Sequence, residues 1–341
     1  MTTRYPKHRT YSGLVNFPIN KLSLEKAEAA LLSYYETEIR RRSKKQLSSM
    51  NRKKIGRPFT YSKILIEYAA IVLYLRNLSY RRLEEEIFLR IGIRISKTQL
   101  QERIAKLLID INIDGFLRDK VLDVAMDATG FRPTNKGLWR IINHENGEIR
   151  DRNGYIKLMT AVDLHTKSIL SAFIGDAQTA DSILFDPSFE ELNDKKINKF
   201  YGDGSFDSFK VYRKCIKQRI TPVIKPDKNA VVYYNKYGLP RDLRSYYVSF
   251  IKINGYKEWS KKFDYGKRWN NEIIFSKFKR LFGDVIRSHK EENIRQEFTI
   301  KIWIYNSLTT LQCGYNIFLF VLFELPDSIV VYHVAQASLN Y

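Results

Sequence analysis

The order of strand-like and helical segments in the second half of the chain most constrains its fold. KVLDVAMDATG is an apolar run typical of a buried strand, and YIKLMTAVDLHTKSILSAFIG predicts two more strands joined by a turn at residues 164–167. Further along, helical patterns alternate with two short apolar segments, KFYGD and TPVIKP. The resulting order β-β-β-α-β-α-β-α indicates a mixed α/β domain.

This connectivity matches that of the ribonuclease H-like fold. Within it we expect DAQTADSILFDPSFEEL to form a helix that is capped near Thr179 and interrupted or ended by Pro187, and FKVYRKCIKQR to form the next helix. Residues 226–262 are rich in tyrosine and ambiguous, with VSFIKI the best candidate for a strand. Clear periodicity is lost beyond Cys313.

The N-terminal part of the chain is predicted to be helical. Apolar residues recur at helical spacing over residues 20–48, and a second apolar helix runs from about 64 to 75. Ser79 is expected to cap a third helix, which ends at Gly92, and Ser96 to cap a fourth. Three apolar side chains of the third helix should face inward: Leu83, Ile87 and Phe88.

These short helices have the outline of a helix-turn-helix, whose last helix enters the major groove of DNA. The side chains that face the groove would be Lys97, Thr98, Gln99 and Gln101. A helical bundle with a polar outer face explains the pattern equally well, because periodicity does not fix how a helix docks. We divide the chain into a basic, helical, DNA-binding region (1–115), an α/β domain (116–312) and a tail without an assigned role (313–341).

The charge of the chain indicates a polyanionic partner. It carries 58 Lys and Arg against 37 Asp and Glu, a formal net charge of +21, and nucleic acid is the commonest partner of such a protein. Residues 1–60 alone hold 14 basic residues against four glutamates, as an anchor on a phosphate backbone requires. A basic surface that binds nothing is the alternative.

The remaining composition argues against a secreted or membrane protein. Cys215 and Cys313 lack the paired spacing of a zinc site, which predicts buried thiols in a reducing compartment. The N-terminus has no apolar stretch typical of a signal peptide, and the apolar run 317–323 is too short to span a bilayer. We expect a soluble, intracellular protein.

The segment DYGKRWNNEIIFSKFKRLFG carries the clearest chemical pattern. On one helix, its spacing would place four polar residues on the same face as Phe275, with Asp264 ahead of them as N-cap. These four are Tyr265, Arg268, Glu272 and Lys279. An acid flanked by two cations is poorly explained by core packing, and it indicates a carboxylate that holds a metal beside cations that hold a phosphate.

Two aspartates upstream could complete a metal site. Asp127 ends the first predicted strand and Asp203 ends KFYGD, where side chains project into a cleft. A lone aspartate at a strand end is usually a turn or cap residue, so the pair becomes informative only together with Glu272. Three carboxylates within a few ångströms repel one another and recruit hard cations, Mg²⁺ or Mn²⁺, and two such ions can drive phosphoryl transfer.

The spacing of these residues resembles the Tyr-Arg-Glu-Lys motif of DDE-type insertion-sequence transposases, families four and five. The match is complete at Tyr265, Arg268, Glu272 and Lys279. The segments DATGFRPTNKGLWR and YGDGSFDS resemble the surroundings of the family's first and second aspartates, and GRPFTYSKILIEYAAIVLYLRNLSYRRLEEEI resembles its N-terminal segment. The resemblance covers roughly residues 55–310, with departures at Ala128 and at Ser205-Phe206.

The resemblance implies a catalytic triad of Asp127, Asp203 and Glu272 that binds two Mg²⁺ ions, for which Mn²⁺ can substitute. Tyr265, Arg268 and Lys279 would contact DNA phosphates, and the helix-turn-helix outline adds Lys97 and Gln99 as DNA-binding residues. It also implies nicking at terminal inverted repeats, strand transfer by the freed 3′-hydroxyl into target DNA, and a homodimer in the synaptic complex. Such an enzyme works in the prokaryotic cytoplasm, in association with the nucleoid.

Two other functions remain open from the sequence. One is a nuclease of the same fold that cleaves without strand transfer, and the other is an inactive or domesticated DNA-binding protein. Among the other polar residues, Asp163 is expected to serve the hairpin turn and Asp207 to lie near a helix start. Trp139 and Trp269 could stack on an unpaired base, although packing is the commoner use of tryptophan.

Overall fold

The computed structural model describes residues 23–111, 120–134, 155–177 and 179–312. The expectations for Trp139, for Cys313 and for the tail lie outside the described residues. Of the helices in the described part, none is long and apolar enough to cross a membrane.

All four predicted N-terminal helices are present: α1 (Leu24–Asn51), α2 (Lys63–Leu75), α3 (Tyr80–Ile91) and α4 (Lys97–Ala105). The hydroxyls of Ser79 and Ser96 each accept a hydrogen bond from the backbone N–H three residues on, so both predicted caps are confirmed. Gly92 ends α3 with φ of 76°, a left-handed conformation that favours glycine. The inward orientation of Phe88 is wrong: its side chain is 39% exposed and lies under the guanidinium of Arg94.

The remaining elements follow the predicted order. The strands are β1 (Val121–Pro133), β2 (Ile156–Asp163), β3 (Ile169–Asp176), β4 (Lys196–Gly202), β5 (Thr221–Ile224) and β6 (Val285–Ile286). The helices are α5 (Asp181–Glu190), α6 (Phe209–Lys217), α7 (Leu243–Asn254), α8 (Tyr256–Lys262), α9 (Asn270–Phe282) and α10 (Glu291–Gln312).

The strands form one mixed sheet in the order β3-β2-β1-β4-β5. β1, β2 and β3 are antiparallel neighbours, whereas β4 and β5 run parallel to β1, and β6 pairs with the far end of β1. Three meandering strands followed by parallel strands with crossover helices form the ribonuclease H-like arrangement that the sequence predicted.

Two local predictions in this domain are wrong. α5 begins at Asp181, with Ala180 at the N-cap position next to Thr179, but it is neither interrupted nor ended by Pro187. The missing N–H of Pro187 removes one hydrogen bond, but the rings of Phe185 and Phe189 on either side pack in the core, 5.0 Å apart, and hold the helix together.

The segment VSFIKI is helical, not a strand. It lies in α7, whose first turn is capped by the Asp242 carboxylate through the backbone N–H of Ser245. The buried residues of α7 stand at spacings of one, three and four, which is one helical face: Arg244, Ser245, Tyr247 and Val248.

The sheet separates two apolar clusters. Along β2, Leu158 and Val162 point into one cluster, while Met159 and Ala161 point into the other. The first cluster continues into α1, α2, α3, α4, α9 and α10, and the second is covered by α5, α6, α7 and α8. The N-terminal helices therefore pack into the same core as one face of the sheet.

Candidate active site

Asp127 lies in the middle of β1, not at the end of a strand as the sequence predicted. Its backbone pairs with Thr160 of β2, so the antiparallel side of the ladder continues past it. On the other side, β1 pairs with β4 only as far as Ala125, opposite Tyr201. Asp127 therefore lies just beyond the last position at which β4 covers the edge of β1.

Asp203 follows directly after the last residue of β4, as predicted. Asp203 stands two residues beyond Tyr201, the last residue of β4 that pairs with β1, and Asp127 stands two residues beyond Ala125, the partner of Tyr201. Because neighbouring strands lie about 4.8 Å apart, the two aspartates are neighbours at this edge. The Asp203 carboxylate accepts hydrogen bonds from the backbone N–H and the hydroxyl of Ser205, so the departure at this position orients the acid.

Glu272 reaches the same edge from a broken helix. Residues Tyr265–Trp269 form a 3-10 turn, and α9 starts only at Asn270, so the single helix predicted from the sequence is wrong. Asp264 does not cap it: its backbone is left-handed, with φ of 56°, and its side chain makes no capping hydrogen bond. The tighter turn places Tyr265 and Arg268 one above the other at a spacing of three.

Arg268 joins two of the predicted acids. One guanidinium nitrogen lies 3.1 Å from Asp127 Oδ2 and another lies 3.1 Å from Glu272 Oε1. The side chains of Arg268 and Asp127 are each 20% exposed, and that of Glu272 is 43% exposed. Charge-assisted hydrogen bonds between partly buried side chains thus bring Asp127 together with Arg268 and Glu272, which lie far from it in the sequence.

The electrostatics of Asp127 report on all three acids. The pKa of the Asp127 carboxyl is raised to about 6, mainly by burial, and the negative charges of Asp203 and Glu272 contribute to the rise. The backbone N–H of Ala128, 2.8 Å from Oδ1, and the Arg268 guanidinium act in the opposite direction. Asp203 and Glu272 are therefore close enough to Asp127 to influence its ionisation.

The donor chemistry of this edge fits a hard divalent cation. The acids offer only carboxylate oxygens, which suit Mg²⁺ or Mn²⁺, and their mutual repulsion is relieved by positive charge. Among the residues that the structure describes, no three acidic, histidine or cysteine side chains are close enough together, in their present positions, to bind one metal ion. Arg268 supplies the positive charge between Asp127 and Glu272 instead.

The other predicted site residues lie at different distances from this edge. Tyr265 is buried, with its ring 5.0 Å from that of Trp259. Lys279 lies two turns beyond Glu272, and its ammonium sits 5.1 Å from the centre of the Phe131 ring on β1. Lys97 and Gln99 lie in the first turn of α4, on the helical region.

Several acids that the sequence set aside are explained by the structure. Asp163 accepts hydrogen bonds from the backbone N–H groups of the following turn, as predicted. Asp207 lies two residues before α6, near a helix start as predicted, although Ser208 caps that helix. Its carboxylate forms a two-point ion pair with Arg244, at 2.7 and 2.8 Å.

The Asp207–Arg244 pair was missed by sequence reasoning. Asp207 also accepts a hydrogen bond from the backbone N–H of Asp227, so the pair ties the loop after Asp203 to two later segments. The sequence offered no signal for it, because Arg244 lies next to the segment interpreted as a strand. Trp269, beside Arg268, is 62% exposed, so packing does not account for it.

The chain is similar to one protein family and to several solved structures. The family model described as "Transposase DDE domain" matches residues 122–307, more than half of the chain. Among curated proteins, none matches the sequence.

Similar solved structures include a piggyBac transposase synaptic complex with hairpin DNA, at 11% identity over 88% of this chain and 82% of that one, with a TM-score of 0.41. They also include a Mos1 transposase paired-end complex, at 11% identity over 77% and 82% of the two chains, with a TM-score of 0.21. The family match over residues 122–307 identifies the chain as a member of the transposase DDE-domain family, a DNA transposase that cleaves and joins strands with divalent metal ions.

Proposed function

We propose that Asp127, Asp203 and Glu272 are the catalytic acids of this transposase. The observation that carries the proposal is the bridge from Arg268 to Asp127 and Glu272, at 3.1 Å each, with Asp203 acting on the ionisation of Asp127. Repulsion among the three acids raises the cost of keeping them all ionised, and a site of this kind is stable in its charged form only when cations are present.

Each residue then has a part in phosphoryl transfer. Two divalent ions, Mg²⁺ or Mn²⁺, would supply activation of a water or 3′-hydroxyl and stabilisation of the leaving oxygen. The three carboxylates would hold them, and Asp127 would have to lose its proton to do so, because a protonated carboxyl is a poor ligand. The planar guanidinium of Arg268 can form paired hydrogen bonds with a phosphate as well as with a carboxylate. It can therefore release the acids and bind the DNA backbone instead.

The residues around the triad complete the DNA-binding face of the site. The exposed ring of Trp269 would stack on an unpaired base of the DNA. Lys279 would contact a phosphate further along α9, while buried Tyr265 fixes the 3-10 turn on which Arg268 is mounted.

The partners follow from this chemistry. The substrates would be the terminal inverted repeats of an insertion sequence and a target duplex, bound by a homodimer that holds two ends together. Residues 1–115 would provide the DNA-binding region and residues 116–312 the catalytic domain, with Lys97 and Gln99 at the DNA surface. The protein would act in the prokaryotic cytoplasm at the nucleoid.

The test is a cleavage assay on labelled DNA that carries the inverted repeat and its flank, with Mg²⁺ or Mn²⁺, resolved on a denaturing gel. The variant Glu272→Gln removes the charge and keeps the volume. Glu291→Gln is the matched control, since Glu291 is exposed and pairs only locally with Arg295.

We expect cuts at the repeat end with wild type and Glu291→Gln, and a loss of at least 100-fold with Glu272→Gln, as for removal of one group that stabilises a transition state. Equal cleavage by Glu272→Gln would refute the triad. Joined strand-transfer products separate a transposase from a nuclease, and binding without cleavage by wild type would indicate an inactive, DNA-binding protein.

A further inference from the structure

A basic pocket lies on the helical region, outside the catalytic edge. It is a cavity of about 250 Å³ between the segment that joins α1 to α2 and the side of α4. Three cationic side chains line it: Lys54, Arg57 and Arg103. The other lining residues carry no carboxylate, so the cavity is electrostatically suited to an anion.

The segment that forms one wall of the pocket is held in place by side chains. The Asn51 carboxamide donates to the Phe59 carbonyl at 3.0 Å and accepts from the Phe59 N–H at 2.6 Å. The Lys54 ammonium donates to the Arg57 carbonyl at 2.6 Å and lies 4.8 Å from the centre of the Phe59 ring. Gly56 permits the bend with φ of 86°. The wall is therefore ordered before any ligand arrives.

The opposite wall is built from α4. The Arg103 guanidinium lies 5.1 Å from the centre of the Tyr61 ring, and the Tyr61 hydroxyl donates to the Arg94 carbonyl at 3.1 Å and approaches Gln99 Oε1 at 3.3 Å. Gln99 thus supports the pocket through Tyr61, in addition to the DNA contact predicted for it.

The charge in the pocket is not neutralised from within the described part of the chain. There, no carboxylate lies within ion-pairing distance of Lys54, Arg57 or Arg103, whereas Arg41 and Arg42 of the preceding helix both pair with Glu38. Preorganised cations without a carboxylate partner favour a ligand that brings negative charge and several acceptor oxygens.

We propose that this pocket binds one backbone phosphate of duplex DNA and thereby sets the position of α4 on the duplex. The pocket adjoins the first turn of α4, where Lys97 and Thr98 are exposed. A phosphate held by Arg57 and Arg103 would place that turn at the adjacent groove, since backbone contacts fix the register of a protein on DNA. The proposal rests on the proposed function in that the ligand is DNA, but it assigns a site that is separate from the catalytic acids.

The test measures DNA binding in EDTA, so that it does not depend on catalysis. Fluorescence anisotropy would follow the full-length protein on a labelled inverted-repeat duplex and on a scrambled duplex, from 50 to 300 mM salt. The variant is Arg57→Gln/Arg103→Gln. The matched control is Lys26→Gln, at the other end of α1, roughly 37 Å from Asn51 at 1.5 Å per residue.

We expect the double variant to lower the slope of log Kobs against log salt by about 1, because each phosphate that is no longer neutralised removes about 0.9 from it. Binding should weaken by the same factor on both duplexes, since a phosphate contact carries no base information. Lys26→Gln should leave the slope as in wild type. Arg57→Lys, which keeps the positive charge, should retain most of the slope that Arg57→Gln loses. Circular dichroism would confirm that each variant is folded.

Two results would overturn the proposal. One is a salt slope of the double variant equal to that of Lys26→Gln, and the other is weaker binding on the inverted repeat alone, which would indicate base recognition. A failure of the proposed function would give a different result: wild type would bind DNA with the expected slope but would not cleave it when Mg²⁺ is added.

Discussion

Replacing Asp127 by asparagine should stabilise the folded protein at neutral pH while abolishing strand cleavage. In the folded protein the pKa of the Asp127 carboxyl is about 6, against an ordinary value of 3.8. At 1.36 kcal/mol per pKa unit, the ionised carboxylate costs about 3 kcal/mol of folding free energy. Asparagine has nearly the same shape and no charge, so it removes this cost.

The sign of the pH dependence follows from the raised pKa. The folded state holds the proton more tightly than the unfolded chain, so the stability that Asp127 contributes is fully present below pH 3.8 and is lost as the pH rises to about 6. Wild type and Asp127→Asn should therefore have similar unfolding free energies at pH 4 and differ by about 3 kcal/mol above pH 7.

Urea denaturation followed by circular dichroism between pH 4 and 8 measures this difference. Asp194→Asn is the control, since that side chain is 66% exposed and its replacement should not change the curve. Added Mn²⁺ should stabilise wild type and leave Asp127→Asn nearly unchanged, because only an ionised site gains from the cation. A gap between the two proteins that stays constant from pH 4 to 8 would refute the reasoning.

Three other substitutions test separate contacts. Arg268→Gln removes the cation that competes with Mn²⁺ for Asp127 and Glu272. Because a charged hydrogen bond contributes about 1.5–3 kcal/mol, Mn²⁺ should bind the variant at least tenfold more tightly, as measured by electron paramagnetic resonance. Unchanged affinity would contradict this. Arg244→Met leaves Asp207 buried without its partner and should cost about 3–5 kcal/mol in urea, part of which Asp207→Asn should restore. Phe298→Ala removes a ring 5.0 Å from Phe131 and should cost about 3–5 kcal/mol; a loss below 1 kcal/mol would exclude tight packing there.

Local signals in the sequence predicted much of the framework. Ser79 and Ser96 cap their helices and Gly92 ends one, because these roles depend on the residue itself and on its nearest neighbours along the chain. The order of strands and helices was also predictable, since the spacing of apolar residues along a strand or helix reflects whether one face of that element or both are buried. Asp203 could be placed at a strand end because a glycine stands on each side of it.

Features that depend on distant partners could not be predicted. The apolar run before Asp127 ends there, but β1 continues because β2 still pairs with it while β4 has stopped. VSFIKI is rich in the β-branched and aromatic residues typical of a strand, yet the packing of Tyr247 against Trp259 and Phe263 selects a helix. The spacing of Arg268 and Glu272 fits one helix, although Arg268 lies in the preceding 3-10 turn. In each case, tertiary contacts override a correct local preference.

The apolar cluster that runs from the N-terminal helices into one face of the sheet limits how this transposase can be re-engineered. Leu31 of α1, Ile71 of α2 and Phe131 of β1 belong to one continuous interior, so a cut near residue 115 would expose apolar surface on both halves. Swapping in a foreign DNA-reading module would require redesigning the matching faces of α9 and α10 as well. New target specificity is therefore more accessible through surface substitutions than through chimeras.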